Sequence, residues 1–302
     1  MKQWLKIGNI SGGDAYLGLL SKGDDLAIEK DIKEEYYIHN VHPFVPIDPK
    51  VAAGGSITLP FKSEDGLDEL LYAFFGVVTT TDNGDGSYTH KFTIKDDALP
   101  EFEVIKSLGN IQEKYEGCKV KSIKLSAKGN GEVEAEVEIV SKTGLSVTGE
   151  VEGSYSLSET FSVKQAIITW GASEYGIVGV DITLERDLDE GGFLLNSDAG
   201  RSEIPEGNFK GSVKLDVVAD DVIFLQDFLA GNSKALVLHL ETAGGAIFEV
   251  TLPSALITSR AKSTEVDKKL IIEGVEVVGL YDATDGSVIV NLTNSITAYP
   301  RT

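Results

Sequence analysis

The sequence predicts a mainly β protein made of two tandem β-sandwich or partial-barrel domains, each with one packed α-helix. Three observations predict it. Apolar and polar residues alternate with period two through several stretches rich in Val, Ile and Thr, and 32 glycines supply turns between them. A strand–turn–helix unit at residues 54–76, GGSITLPFKSEDGLDELLYAFFG, recurs at 210–231 as KGSVKLDVVADDVIFLQDFLAG. The elements after each copy then follow in the same order, displaced by roughly 150 to 157 residues, which marks an internal duplication. At 302 residues the chain is long enough for two cores. The expected division is an N-terminal arm and extended loop (1–50), a first β domain (51–155) and a second (156–302).

Residues 1–47 carry turn signals at Gly12-Gly13 and Gly23-Asp24-Asp25 but little apolar pattern of their own, and Pro43, Pro46 and Pro49 hold the next stretch extended. His39 and His42 are three apart, but the prolines argue against a helix and no third ligand accompanies them, so a contact loop is the better reading than a metal pair. In the first helix Leu67, Leu70, Leu71 and Phe74 fall at i, i+3, i+4 and i+7, one apolar face. Ser63 or Asp65 is placed to cap it, Asp65 and Asp68 suit its positive end, and Gly76 can close it in a left-handed conformation. In the second copy Asp220 and Asp221 would cap a helix that packs through Leu225, Phe228 and Leu229 and ends at Gly231.

Between the helix and the next strand, Asp82, Asn83 and Asp85 resemble part of a calcium loop. The terminal Glu of that motif is missing, and Asn-Gly and Asp-Gly are hairpin tips. The clearest hairpin joins 117–125 to 132–139 through Lys128-Gly129-Asn130-Gly131, pairing Leu125 with Ala135, Ile123 with Val137 and Lys124 with Glu136. Val133, Ala135, Val137 and Ile139 then lie on one face, and Glu132, Glu134, Glu136 and Glu138 on the other. No His, Ser or apolar pocket accompanies these carboxylates, so a solvated row is preferred to acid–base chemistry. Residues 143–158 are expected to be the crossing between halves, and 187–208 a polar, Gly-rich loop; Gly191-Gly192 lacks the following residues of a phosphate cradle. In the second half, 273–277 matches 116–120 and the 285–292 hairpin matches 130–139. His90 and His239 sit at matching places in strands.

The net charge of −21 argues against tight nucleic-acid binding, since no basic patch interleaved with aromatics offsets it. No run of eighteen apolar residues is present to span a membrane, and the first ten residues lack the apolar core of a signal peptide, so synthesis in the cytosol is expected. The single Cys118 lies in an alternating run and is expected to be a small core side chain.

Several motifs in this order resemble the bacteriophage tail tube (major tail) proteins of long, non-contractile tails, in a two-domain form. They are Gly54-Gly55-Ser56, Tyr88-Thr89-His90-Lys91-Phe92, Leu99-Pro100-Glu101-Phe102-Glu103-Val104, Tyr115-Glu116-Gly117-Cys118-Lys119-Val120, Thr251-Leu252-Pro253 and Asn291-Leu292-Thr293-Asn294, covering about residues 50 to 300. The resemblance implies tail-tube-type domains and a virion structural protein, not an enzyme, with no cofactor, made in the host cytoplasm and located in the phage tail. It implies self-assembly into stacked rings that conduct genomic DNA without binding it tightly, alongside tape measure, terminator and distal tail proteins. Two equivalent halves would make three chains a pseudo-hexameric ring; a hexamer is the alternative. Glu132, Glu134, Glu136 and Glu138 are the candidate lumen-facing row, with the outer surface as the alternative. Asp82, Asn83, Asp85, Asp187, Asp189 and Asn196 mark candidate ring-stacking loops. Competing readings are another β-sandwich virion component (tail terminator, baseplate or decoration protein) and a carbohydrate-binding module, for which Trp4 and Trp170 are too few and too far apart. A hydrolase would have to use Asp96/Asp97 or Asp24/Asp25, which are better turns.

Overall fold

The computed structural model describes residues 3–12, 16–30, 51–96, 98–128, 131–156, 158–162, 166–192, 200–218, 223–263 and 272–301. The protein is mainly β, with antiparallel sheets and, among the described residues, two short α-helices. The first half contains β1 (Gln3–Gly8), β2 (Tyr16–Leu19), β3 (Gly23–Asp24), β4 (Ala27–Lys30), β5 (Val51–Pro60), α1 (Leu67–Phe75), β6 (Gly76–Asp82), β7 (Tyr88–Ile94), β8 (Phe102–Leu108), β9 (Gln112–Lys128), β10 (Glu134–Ser141) and β11 (Thr143–Val147). The second contains β12 (Ile167–Trp170), β13 (Ser173–Tyr175), β14 (Ile177–Leu188), β15 (Glu206–Val218), α2 (Ile223–Ala230), β16 (Lys234–Glu241), β17 (Ile247–Ser263), β18 (Ile272–Leu280) and β19 (Ile289–Asn294).

The long sheet runs β3/β4–β5–β10–β9–β14–β15–β18–β17. A second layer runs β13–β12–β16–β17–β19–β7–β6. A third, smaller sheet runs β2–β1–β8–β9–β11. The 17-residue strands β9 and β17 each belong to two sheets and make the corners. Gly117, at φ 60, stands where β9 passes from one sheet to the other. The expected hairpin pairs as its alternation predicts, with Leu125 opposite Ala135, Ile123 opposite Val137 and Lys124 opposite Glu136.

Alternation in each strand gives the long sheet one apolar face, and register aligns those residues across both halves. Leu59, Ala135, Leu125, Ile182, Val213, Val277 and Ile257 are successive partners on seven strands, none more than 4% exposed. Phe61 stacks on Phe161 at 4.8 Å and meets Phe248 edge-on at 4.5 Å, binding the two halves through one core. On α1, Leu67, Leu70, Leu71 and Phe74 are all buried, as is Phe75, which packs near Phe92 and Phe209. Gly76, at φ 81, closes the helix with its N–H on the Tyr72 carbonyl.

Several expectations change. The N-cap of α1 is Gly66 with no side-chain cap; the Asp68 carboxylate instead accepts from the Gly66 N–H at 2.9 Å. On α2 the buried residues are Phe224 and Asp227, while Leu225 is half-buried, Phe228 exposed and Leu229 74% exposed. The cause is polar anchoring: Asp227 accepts from the Trp170 indole N–H at 2.8 Å and pairs with Lys234, which leaves Phe228 and Leu229 outward on a helix only eight residues long. The capping pair Asp220 and Asp221 lies outside the described residues, as do His39 and His42. Strands β1 to β4 and the residues between β3 and β4 bury Leu5, Ile7, Leu19 and Leu26, more than an arm would. Residues 143–147, expected in a crossing, form β11 against β9.

The duplication holds at its start and shifts at its end. Strands β5, β10 and β9 are neighbours in that order, and so are β15, β18 and β17, so β18 corresponds to β10 and not to the 116–120 segment of β9. Strand β19 pairs with β17 and with β7 of the first half, a place β10 does not occupy. The 116–120 and 273–277 segments share a Glu-Gly start, but hydrogen bonding assigns their strands to different places.

Candidate assembly surface

The face of the long sheet opposite the core is mostly polar, with Val278 and Leu256 as its apolar members near the β17 border. One row of partners crosses it as Pro60, Glu134, Ser126, Asp181, Lys214, Glu276 and Ser259; the next crosses as Thr58, Glu136, Lys124, Thr183, Ser212, Val278 and Leu256. Of the predicted acidic row, Glu134, Glu136 and Glu138 lie along β10 on this face, and Glu132 just precedes the strand, bridged to Ser162. Cations stand against each acid. Lys22 Nζ is 2.6 Å from Glu134 and 3.7 Å from Glu132, Lys124 is 3.8 Å from Glu136, and Lys121 is 2.9 Å from Glu138. The Glu134 hydrogen bond raises the Lys22 pKa, and the hydrogen bonds to Glu138 and Glu190 raise that of Lys121. The face is therefore a laced pattern of both signs, more acidic along β10.

The two halves meet on this sheet at β9 and β14, which pair continuously from Lys128 opposite Gly179 to Ser122 opposite Glu185. Around the seam, Arg201 donates to the Ser141 carbonyl at 2.7 Å and Arg186 to the Lys95 carbonyl at 3.1 Å. Lys119 donates to the Ile204 carbonyl at 2.8 Å and pairs with Glu206. Burial alone would raise the Glu206 pKa, but Lys119 and the Leu99 N–H outweigh it and hold the carboxyl below its ordinary value. The sheet's outer borders are β3/β4 at one end and residues 256–263 of β17 at the other. Among the described residues each of these borders has a strand partner on one side only, β5 and β18 respectively.

The predicted loop residues separate. Asp82, Asn83 and Asp85 sit at the exposed β6–β7 tip, where Asp82 accepts from the Gly84 N–H at 2.8 Å and Asp85 from the Ser87 N–H at 2.9 Å. Ser87 holds the Asp85 pKa below its ordinary value. Asp187 lies on β14, not in a loop, because pairing with β15 continues to Leu188 opposite Glu206. Asp189 caps the turn after it through the Gly191 N–H at 2.8 Å, and Asn196 lies outside the described residues. Among the described residues no three His, Cys, Asp or Glu groups are arranged to hold a metal.

Sequence reading missed one buried polar cluster. The C-terminal segment returns to α1, where Asp68 accepts from the Tyr299 hydroxyl at 2.7 Å and pairs with Arg301, while Asn294 donates to Tyr299 at 2.7 Å. In the sequence, Asp65 and Asp68 read equally well as charge at the helix N-terminus, and nothing beside them points to residues 294–301.

The long sheet thus has one buried face and one mostly polar face, and among the described residues each of its borders has a strand partner on one side only. The family model described as phage tail tube protein matches residues 43–278. The chain belongs to that family. As a phage tail tube protein it is a structural component of the virion tail, associating with itself and with other tail proteins. No curated protein matches the chain. Among the described residues no helix is long and apolar enough to cross a membrane.

Proposed function

We propose that this tail tube protein builds the tube of a long, non-contractile tail, and that three copies close a ring of six sheet units stacked into a conduit for DNA. The observation that carries this reading is the β9–β14 seam: within one chain, the two halves already join edge to edge by backbone hydrogen bonds. A unit that pairs sideways with a like unit needs only the same join between chains to continue, and a closed ring leaves neither border of the long sheet open. The polar face with Glu134, Glu136 and Glu138 is assigned to the lumen, where net negative charge repels phosphate and lets DNA slide.

Negative-stain microscopy of the purified protein at rising concentration tests it. Hollow tubes of constant width are expected, and mass photometry of single rings is expected to give three chains. Isolated rings that never stack would favour a terminator-like component; six chains per ring would reject the trimer; monomers at all concentrations would reject the assembly itself.

A further inference from the structure

We infer that the joint between chains is made by residues 256–261 of β17 and residues 23–27 of a second copy of this chain, antiparallel, in a register fixed by the internal seam. This rests on the ring reading above and specifies its joint.

The register follows from two rows of paired residues. In the first half, Asp24 is opposite Ile57, Ile57 opposite Val137, Val137 opposite Ile123, and the row crosses the seam to Leu184. The corresponding row of the second half starts at Ile182, the partner of Val213, and runs through Val277 to Ile257. Val213 is the counterpart of Ile57 in the repeated Gly-Ser strand, so Ile182 is the counterpart of Asp24. Leu184 lies two residues beyond Ile182; each unit advances the row by two. The same step from Asp24 puts Leu26 of the next copy opposite Ile257. Both are buried on the core-facing side, 5% and 4% exposed, so the join extends the apolar row instead of ending it.

The β-bulge after Ile257 then sets the rest. Ser259 falls opposite Asp25, Arg260 opposite Asp24, and Ala261 opposite Gly23. An arginine thus meets an aspartate at the joint, as opposite charges on facing strands favour. At the internal seam the position equivalent to Ala261 and Gly23 is Ser126 opposite Asp181, which are hydrogen-bonded.

Paired cysteines test the register. Gly23 has nothing within 4 Å of an added Cβ, and Ala261 is exposed, so Gly23→Cys with Ala261→Cys perturbs little. Facing residues bring their Cβ atoms to about 4.5–5.5 Å, close to disulfide geometry. Burial pushes the Cys118 thiol up to about 12 and leaves it a poor competitor. Asp25→Cys with Ser259→Cys is the second in-register pair, and Ala27→Cys with Ala261→Cys, displaced by four residues or about 13 Å, is the control. Each variant is first assembled under reducing conditions and checked for tubes by microscopy, then oxidised and run on a non-reducing gel. Covalently closed trimers are expected from both in-register pairs, about tenfold over the control. Tubes without in-register crosslinks, or with the displaced pair crosslinking best, overturn the register and leave the ring reading standing. Unaltered protein that forms neither rings nor tubes overturns both.

Discussion

Ser126, in the first half of the chain, donates its hydroxyl hydrogen to the Asp181 carboxylate in the second, across the seam between β9 and β14. The bond lies on the polar face; directly behind it in the sheet, Leu125 packs opposite Ile182 on the core side. The two faces of the seam have different consequences. A hydroxyl–carboxylate bond open on one side is worth about 1 kcal/mol, whereas a buried leucine in a continuous apolar row carries several times that.

Leu125→Ala is therefore expected to destabilise the chain by about 3 kcal/mol, and Ser126→Ala by about 1 kcal/mol or less, in urea unfolding of unassembled protein. If the seam holds the halves into one cooperative unit, the alanine at 125 shifts a single transition. Two transitions, with only one moving, would show that the halves unfold independently.

The second prediction concerns the docked C-terminal segment. The Asp68 side chain is fully buried, and Arg301, 17% exposed, supplies its countercharge from 233 residues away. Removing one member of a buried pair leaves the other uncompensated, so Arg301→Ala is expected to cost about 3 kcal/mol. Asp68→Asn with Arg301→Ala should cost less than the single change, because the double variant leaves no uncompensated charge at Asp68. A double-mutant cycle by thermal unfolding measures this coupling; additive costs would mean that the pair contributes nothing beyond its separate contacts.

How much of this was readable beforehand divides by distance along the chain. The pairing of Leu125 with Ala135 was legible because a short turn and period-two alternation leave one register that buries the apolar face. The apolar face of α1 was legible from 3.6-residue spacing. Asp68 and Arg301 meet only after the whole fold forms, and nothing near either residue marks the other. The seam was hidden for a related reason: a strand with both edges paired shows the same alternation as one with an open edge. On α2, the contacts that matter are those of Trp170 and Lys234 with Asp227, which lie outside the helix's apolar pattern in the sequence.

A third prediction is pH dependence. Burial raises the Asp65 and Glu69 carboxyls to about 7, and the nearby Asp68 charge adds to the effect in both. Their folded pKa values exceed the unfolded values near 4, so between about pH 4 and 7 the folded chain keeps protons that the unfolded chain releases. Stability is accordingly expected to be fully present below pH 4 as far as these groups are concerned, and to fall as pH rises through 7. Asp65→Asn should flatten that slope and stabilise the protein at pH 8, on the order of 2 kcal/mol. Urea titrations at pH 5 and 8 check it; an Asp65→Asn variant with the parent's slope would place the titration elsewhere.

The last prediction separates wall strength from wall charge. Glu134 and Glu136 are half-exposed, and their pairs with Lys22 and Lys124 are solvent-accessible, so each is worth no more than about 1 kcal/mol. Changing both to Lys alters the charge by four units per chain without touching the buried row behind them. Tubes are expected to form with normal width. If the polar face lines the lumen, a cationic stripe repeated along the tube would bind phosphate and slow DNA passage, more so at low salt, where screening is weakest. The measurement is DNA ejection from assembled virions at two ionic strengths. Slowed ejection that salt relieves is the expected result; ejection at the parent rate from intact tails would put this face on the outside of the tube.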